Sequence, residues 1–185
     1  MGFDKQLLTL NDKLIRECVL GSLGSIFSDL IIITNTKDLY KDCPVRTFSD
    51  EFVNKGPLAG VHMALKQAES EYVYLLACDM PIVSTDYIRY MMHKLDETNA
   101  AICVAKRNDK VEPFNAFYSR RLLEEAEQRL VNNETSLFRF IKSADTIIIP
   151  EEELDAFEDG SGMFTNLNTM EEYSLFMREN KYGDS

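Results

Sequence analysis

A chain of 185 residues is long enough for one well-filled hydrophobic core and short for two. Its apolar content of 45% and charged content of 28% are ordinary globular values, which excludes the disordered and fibrous classes. The net charge of −11, without any block of Lys and Arg, argues against nucleic-acid binding, and a phosphate-bearing substrate would need local cations.

The four cysteines and the lack of long apolar runs indicate the compartment. Cys18, Cys43, Cys78 and Cys103 are widely spaced without a CxxC pair, so we expect buried thiols in a reducing environment. No apolar run approaches the roughly 18 residues of a membrane span, and no secretory leader follows Met1. We therefore expect a cytoplasmic protein with no membrane contact.

Helices and strands alternate along the predicted chain. In order, the predicted elements are a helix over 14–27, a strand over 30–33, a strand over 45–48, a helix over 58–69, a strand over 72–77, a helix capped at Ser84 and running to Leu95, and a strand over 100–105. An extended segment over 114–118, helices over 120–131 and 137–143, a strand over 146–149 and a helix over 170–178 follow. This alternation predicts an α/β fold with a doubly wound sheet, and no linker-like composition divides residues 1–185 into domains.

Asp79 follows the apolar strand over 72–77, inside the sequence Cys78-Asp79-Met80-Pro81. In a parallel sheet this position lies at the carboxyl edge, where α/β folds place metal or phosphate sites. A hard cation such as Mg²⁺ would find an oxygen ligand here and bridge to substrate phosphates. An aspartate that only caps a turn is the alternative.

The sequence GPLAG, residues 56–60, opens the helix that precedes this strand. Gly56 and Gly60 permit close backbone approach, and Pro57 sets the first helical turn. A glycine-rich helix start offers N–H donors to an anion or a base edge, although it could also be only a well-formed helix start. One helix and one strand separate GPLAG from Asp79, so both can meet at the same sheet edge.

Five segments in order resemble one enzyme family over essentially the whole chain. MGFDKQLL resembles the second half of the nucleotidyltransferase signature L-x-G-G-x-S-x-R-M-G-x-D-K-x-L-L, and GPLAGVHMAL, ACDMP, EPFNAFYS and FTNLNTMEEY follow as in the molybdenum cofactor guanylyltransferase (MobA) family. The resemblance implies a three-layer α/β/α Rossmann-like nucleotidyltransferase fold with a mostly parallel sheet.

The resemblance also implies roles for single residues. Lys5, with Gly2 beside it, matches the part of the signature that contacts nucleotide phosphates, and Asp79 matches the Mg²⁺-binding aspartate. Asp50, Gly56, Pro57 and Leu58 match nucleotide-binding positions, and Asn166 and Asn168 match a motif that borders the pterin side.

The implied reaction joins GTP and molybdopterin, the pterin of the molybdenum cofactor, into a guanine dinucleotide with release of pyrophosphate. A terminal phosphate of molybdopterin would attack the α-phosphorus of GTP. No general base is required, because the second pKa of a phosphate monoester is about 6. His62 and His93 are therefore expected at ordinary helix surfaces. Transient contact with molybdoenzymes or other cofactor-biosynthesis proteins is also implied.

The chain departs from the family pattern at its start. The first strand of the signature, its Gly-Gly turn and its Ser and Arg have no counterpart, and the resemblance places that strand near the middle of the sheet. We expect Met1 to be an internal methionine, with about twenty residues upstream in the natural polypeptide. The absence of that strand would expose the edges of its neighbours.

Two other functions remain open at this point. A genuine short form could bind nucleotide or serve as an interaction module without transferase activity. A transferase for another nucleotide, such as CTP, is also possible, because contacts to the base fall partly in the segment without a counterpart.

Overall fold

The computed structural model describes residues 8–10, 13–157 and 160–180. Its helices are α1 (Ile15–Gly24), α2 (Pro57–Gln67), α3 (Thr85–Thr98), α4 (Leu123–Val131), α5 (Leu137–Ser143), α6 (Glu151–Leu154) and α7 (Met170–Asn180). Its strands are β1 (Thr9–Leu10), β2 (Lys13–Leu14), β3 (Ile31–Ile33), β4 (Arg46–Phe48), β5 (Tyr72–Leu75), β6 (Ile102–Arg107), β7 (Lys110–Ser119) and β8 (Thr146–Ile149). Among these helices, none is long and apolar enough to cross a membrane.

The strands form two main sheet segments and one short pair. β3 pairs in parallel with β4, and a second segment has the order β5-β7-β6-β8. β7 runs antiparallel to β5 and β6, while β8 runs parallel to β6. β7 reverses because the link from β6 is only Asn108–Asp109, both at positive φ, which is typical of a tight hairpin turn. β1 and β2 form a separate antiparallel pair.

Both faces of the larger sheet segment are covered, which gives the predicted three-layer α/β/α arrangement. Ile102 and Val104 belong to an apolar cluster with α2, α4 and α5. Cys103 and Ala105, which alternate with them along β6, belong to a second cluster with α3 on the opposite face. The first four residues of β6 are all buried. A continuous apolar strand of this kind is what a sheet covered on both sides requires.

The two sheet segments leave an opening between them. β3 pairs only with β4, and β5 pairs only with β7, so in the part of the chain that the structure describes each has one unpaired edge. Both strands line a single cleft of about 640 Å³.

The start of α2 depends on one glycine. Gly56 precedes the helix with φ +70° and ψ −163°, a backbone conformation that is essentially restricted to glycine. Pro57 then occupies the first turn, as the sequence predicted. Gly60 lies one turn later, where an added Cβ would meet only ordinary contacts, the nearest being Asp50 Oδ1 at 3.9 Å.

His62 was expected at a helix surface, and this expectation was wrong. Its side chain is fully buried in α2, with its ring 5.1 Å from that of Phe52 in an edge-on arrangement. The helix is covered by the sheet and by α4, so it has no broad solvent face. Burial lowers the pKa of His62, and neither ring nitrogen has a hydrogen-bond partner among the described residues. His93, by contrast, is exposed on α3.

We predict opposite effects of alanine at the two glycines of GPLAG. Gly56→Ala should destabilise the fold by about 1–3 kcal/mol, because alanine is strained at that backbone conformation. Gly60→Ala should be neutral or stabilising, because alanine favours the helix and space is available. Urea unfolding of both variants measures the difference, and equal losses would contradict the assigned backbone conformation of Gly56.

We also predict that His62 contributes to acid sensitivity. Its pKa is lowered in the folded chain, so the unfolded chain binds a proton more readily and stability decreases as pH falls through about 6.5. His62→Leu should therefore flatten the decline in unfolding free energy between pH 7.5 and 5.5, by at most about 1.4 kcal/mol per pH unit. His93→Leu is the matched control and should keep the wild-type profile. An unchanged pH profile in His62→Leu would contradict the prediction.

Candidate functional site

The carboxyl ends of β3 and β4 meet through a reciprocal pair of hydrogen bonds. Asn35 follows β3, and its Nδ2 donates to Asp50 Oδ2 at 2.9 Å. The Asp50 backbone N–H, just beyond β4, donates to Asn35 Oδ1 at 3.2 Å. Ser49 Oγ donates to the Thr34 carbonyl at 3.1 Å, which further ties the two strand ends together. Asp50 is therefore held in one orientation by its neighbour.

The second carboxylate oxygen of Asp50 has no such partner. Asp50 Oδ1 is buried and accepts no hydrogen bond from any residue that the structure describes. A buried acceptor without a donor is costly unless a ligand or water supplies one. The oxygen lies beside Gly60 of α2, so the helix start and the strand end share one small space.

The cleft between the sheet segments opens at this same edge. Its lining includes Asn35, Asp50, Gly56, Pro57 and Cys78, which we call the mouth because they follow strands or begin α2, and apolar residues of β3, β5, α1 and α2. A volume of about 640 Å³ is in the range of small-molecule sites. Asp50 and the start of the GPLAG helix therefore line the same cleft.

Asp79 lies in the turn that follows β5, next to this mouth. Its neighbours Cys78 and Met80 line the cleft, and the Met80 N–H donates to the Ala77 carbonyl at 3.1 Å to close the turn. The Asp79 side chain is half-buried. Beyond the turn Ser84 caps α3, its Oγ accepting from the Tyr87 N–H at 3.4 Å, as the sequence predicted.

The C-terminal segment comes back to the Asp79 turn. The Leu167 N–H donates to the Asp79 carbonyl at 2.8 Å, which places Asn166 and Asn168 next to that turn. Asn166 Nδ2 donates to the Phe164 carbonyl at 3.3 Å. Asn168 donates its N–H to Glu172 Oε2 at 2.7 Å, so its backbone is fixed at the start of α7.

A buried asparagine adds a second connection between the same two parts of the chain. Asn115, at φ +59° in β7, accepts a hydrogen bond from the Tyr74 hydroxyl with its Oδ1. Its Nδ2 donates to the Met163 carbonyl at 3.1 Å. Tyr74 belongs to the strand that leads to Asp79, and Met163 precedes Asn166. Asn115 therefore connects β5, which leads to Asp79, with the segment that leads to Asn166.

The cysteines differ in exposure. Cys103 is buried, and burial raises the pKa of its thiol to about 12. Cys18 and Cys43 are half-buried, and all four thiols are free of disulfides. Cys78 is exposed at the mouth of the cleft, so the expectation of a buried thiol was wrong there. It follows the end of β5, where the chain leaves the apolar layer.

The structure brings together only some of the site residues that were predicted from the sequence. Gly2 and Lys5 lie outside the described residues, so their proposed phosphate contacts stay predictions. Leu58 is fully buried in the core, which leaves only its backbone for a ligand. Among the residues described, no group of three or more metal-binding side chains occurs. Any metal at Asp79 would thus need further ligands from substrate and water.

Sequence reasoning missed Asn35 and Asn115. A signal for Asn35 was available, because it follows β3 just as Asp50 follows β4 and Asp79 follows β5. Asn115 lies within EPFNAFYS, but its partners Tyr74 and Met163 are distant in sequence. Only the folded structure identifies that connection.

The chain is similar in sequence to a known protein family. The family model described as a MobA-like NTP transferase domain matches residues 1–147. The chain is 44% identical over 180 residues to a molybdenum cofactor guanylyltransferase of Syntrophotalea carbinolica, covering 97% of this chain and 85% of the relative. It is 38% identical to a probable molybdenum cofactor guanylyltransferase of Peptoclostridium acidaminophilum, covering 98% and 86%.

The fold has a solved counterpart. The crystal structure of molybdopterin-guanine dinucleotide biosynthesis protein A from Archaeoglobus fulgidus superposes with a TM-score of 0.83 at 20% identity, covering 96% of this chain and 91% of that one. That likeness confirms the predicted Rossmann-like nucleotidyltransferase fold. Together with the family match over most of its length, it means that this chain belongs to the MobA-like NTP transferase family.

Proposed function

We propose that this chain transfers GMP from GTP to molybdopterin, forming the guanine dinucleotide cofactor and pyrophosphate. The observation that supports the proposal is one cleft lined by Asp50, by the start of the GPLAG helix and by Cys78 and Met80, the two neighbours of Asp79. The identity of 44% with a relative named molybdenum cofactor guanylyltransferase supports the choice of substrates. We further propose that the chain acts in the cytoplasm.

The nucleotide would occupy the side formed by Asp50 and α2. Asp50 Oδ1 is a fixed acceptor that no donor among the described residues satisfies, which suits an N–H group of guanine or a ribose hydroxyl. The Gly56 conformation and the absence of a side chain at Gly60 let a ligand approach the backbone here. Lys5, by its place in the signature, would contact the phosphates.

The pterin substrate would approach from the opposite side of Asp79. Asn166 and Asn168 flank Leu167, which is hydrogen-bonded to the Asp79 turn, and this position supports our proposal that they contact the second substrate. Asp79 would then lie between the two reacting groups. Approach of the two substrates from opposite sides suits in-line transfer, because the attacking phosphate and the leaving pyrophosphate must lie on opposite sides of the α-phosphorus.

Asp79 would also hold Mg²⁺, the divalent ion we propose as cofactor. A single half-buried carboxylate fits this ion, which usually takes one or two carboxylates and completes its shell with phosphate oxygens and water. When bound, Mg²⁺ supplies positive charge that stabilises the transferring phosphates. The chain's own part is to fix the carboxylate, through the Leu167 contact and the turn at Met80.

No histidine is needed for proton transfer. A phosphate monoester is largely dianionic at neutral pH, since its second pKa is about 6, and it can attack directly. His62 is buried away from the cleft lining, and His93 lies exposed on α3. The catalytic contribution is therefore positioning and electrostatics.

The direct test is product formation. Purified protein is incubated with molybdopterin, MgCl₂ and either GTP or CTP, and the dinucleotide and pyrophosphate are quantified by mass spectrometry. We expect a guanine dinucleotide in equal amount to pyrophosphate, with GTP only. Formation of a cytosine dinucleotide would favour the CTP alternative. Nucleotide binding without any dinucleotide would favour the non-catalytic alternative, and either result would contradict the proposal.

We predict that Asp79→Asn lowers kcat by about 10²- to 10³-fold, because it removes the charge that holds the proposed cation. The Leu167 contact should be kept, since it uses the Asp79 backbone. Asp86→Asn, at an exposed position in the first turn of α3, is the matched control and should keep wild-type kcat. Equal kcat in both variants would exclude Asp79 from the reaction.

Asp50 should contribute to the affinity for the nucleotide. We predict that Asp50→Asn raises KM for GTP by about 10- to 100-fold, because a hydrogen bond to a charged acceptor contributes about 1.5–3 kcal/mol. kcat should be less affected. Steady-state kinetics measure this, with exposed Asp38→Asn as control. An unchanged KM would remove Asp50 from the nucleotide site.

A further inference from the structure

An arginine and a glutamate share one face of the sheet beside the turn between β6 and β7. Arg107 ends β6, and Glu112 lies opposite Ala105 near the start of β7. Arg107 is two residues beyond Ala105, so the two charged side chains are on the same face. Val111, which alternates with Glu112, packs on the opposite face. The proposed reaction assigns no role to either charged residue.

Both charged groups are half-buried and incompletely satisfied. Arg107 Nε is buried and donates to no acceptor among the described residues. Burial raises the pKa of the Glu112 carboxyl, and the charges of Arg107 and Lys110 act against this rise without bonding to it. Desolvated charges of this kind are costly unless hydrogen-bond partners satisfy them. A ligand that contacts both groups would supply such partners.

The position of the pair relative to Asp79 indicates which ligand it would meet. β5 and β6 both run antiparallel to β7, so they are parallel to each other and end at the same sheet edge. One strand lies between them, which separates their ends by about 10 Å. The cleft with Asp50 lies on the other side of β5. Arg107 is therefore on the side of Asp79 that is opposite to the proposed nucleotide position.

Phe164 connects the pair with the asparagines proposed for the pterin side. The guanidinium carbon of Arg107 lies 5.1 Å from the centre of the Phe164 ring, in a cation–π contact. The Phe164 carbonyl accepts a hydrogen bond from Asn166 Nδ2 at 3.3 Å. The contact thus holds Arg107 beside the segment that carries Asn166.

The chemistry of the pair complements one edge of a pterin ring. That edge presents a carbonyl oxygen, a ring N–H and an amino group in a row, so a guanidinium can donate to the first and a carboxylate can accept from the other two. Phosphate alone would be repelled by Glu112, and a metal ion by Arg107. Guanine has the same edge, but its proposed position is at Asp50, across the Asp79 turn.

We propose that Glu112 and Arg107 bind the 2-amino-4-oxo edge of the pterin substrate, with Glu112 accepting from its N–H groups and Arg107 donating to its carbonyl oxygen. The ring would lie at the end of β6, and its phosphorylated side chain would extend past Asn166 toward Asp79. This inference rests on the proposed function, because it assigns a binding surface to one substrate of that reaction.

The first test measures recognition of the ring without the reaction. Neopterin monophosphate and the matching lumazine, in which a carbonyl replaces the 2-amino group, are titrated by calorimetry into the whole chain, into Glu112→Gln and into Asp109→Asn. The last is the matched control, since it removes an exposed carboxylate from the same turn and asparagine tolerates the positive φ there.

We expect the wild-type chain and Asp109→Asn to bind the pterin at least about tenfold more tightly than the lumazine. Glu112→Gln should lose this preference, because a glutamine amide can donate to the carbonyl that the lumazine carries. Absence of pterin binding, equal binding of pterin and lumazine by the wild-type chain, or an unchanged preference in Glu112→Gln would overturn the inference.

The second test measures the same contacts during turnover. Glu112→Gln and Arg107→Gln should each raise KM for molybdopterin by about 10- to 100-fold and leave KM for GTP unchanged. An unchanged KM for molybdopterin, or a raised KM for GTP, would contradict the assignment to the pterin. A wild-type chain that prefers the pterin over the lumazine but forms no dinucleotide would refute the proposed reaction and leave the ring contacts supported.

Discussion

The hydrogen bond from the Leu167 amide to the Asp79 carbonyl is the contact on which the site depends. It joins the turn after β5 to a segment almost ninety residues later, and it uses backbone atoms on both sides. The main chain therefore fixes the position of the turn that carries Asp79. Asn115 strengthens the same connection from inside the sheet, through Tyr74 and Met163.

A parallel sheet edge supplies the other half of the site. Asn35 and Asp50 each follow a strand and bind each other, so two strand ends act as one unit beside the GPLAG helix start. The mouth of the cleft lies between this unit and the Asp79 turn. The cleft thus has two regions of different chemistry, a polar mouth suited to a nucleotide and an apolar interior bounded by strand edges.

The sequence predicted most elements because their patterns are local. β8 and α5 have the predicted bounds, and α2 begins at Pro57 as the proline and glycine pattern indicated. GPLAG and Asp79 could be grouped because both ends of a helix–strand unit can meet at one sheet edge in an α/β fold, whereas Asp50 was identified only through the family resemblance. The burial of His62 was not predictable in this way, because it depends on packing against α4 and Phe52. The hydrogen-bond partners of Asn115 could not be predicted either, because they come from distant parts of the chain.

The central claim is that the nucleotide binds at the mouth between Asp50 and Asp79, and Cys78 reports on this place directly. Its thiol is exposed there, whereas Cys103 is buried with a pKa of about 12 and serves as an internal reference. The measurement is the rate of alkylation of each cysteine by iodoacetamide, followed by peptide mass spectrometry with and without GTP and MgCl₂. We expect GTP to slow alkylation at Cys78 and to leave the alkylation rates of Cys18 and Cys43 unchanged. Saturating GTP without any effect on Cys78 would contradict it.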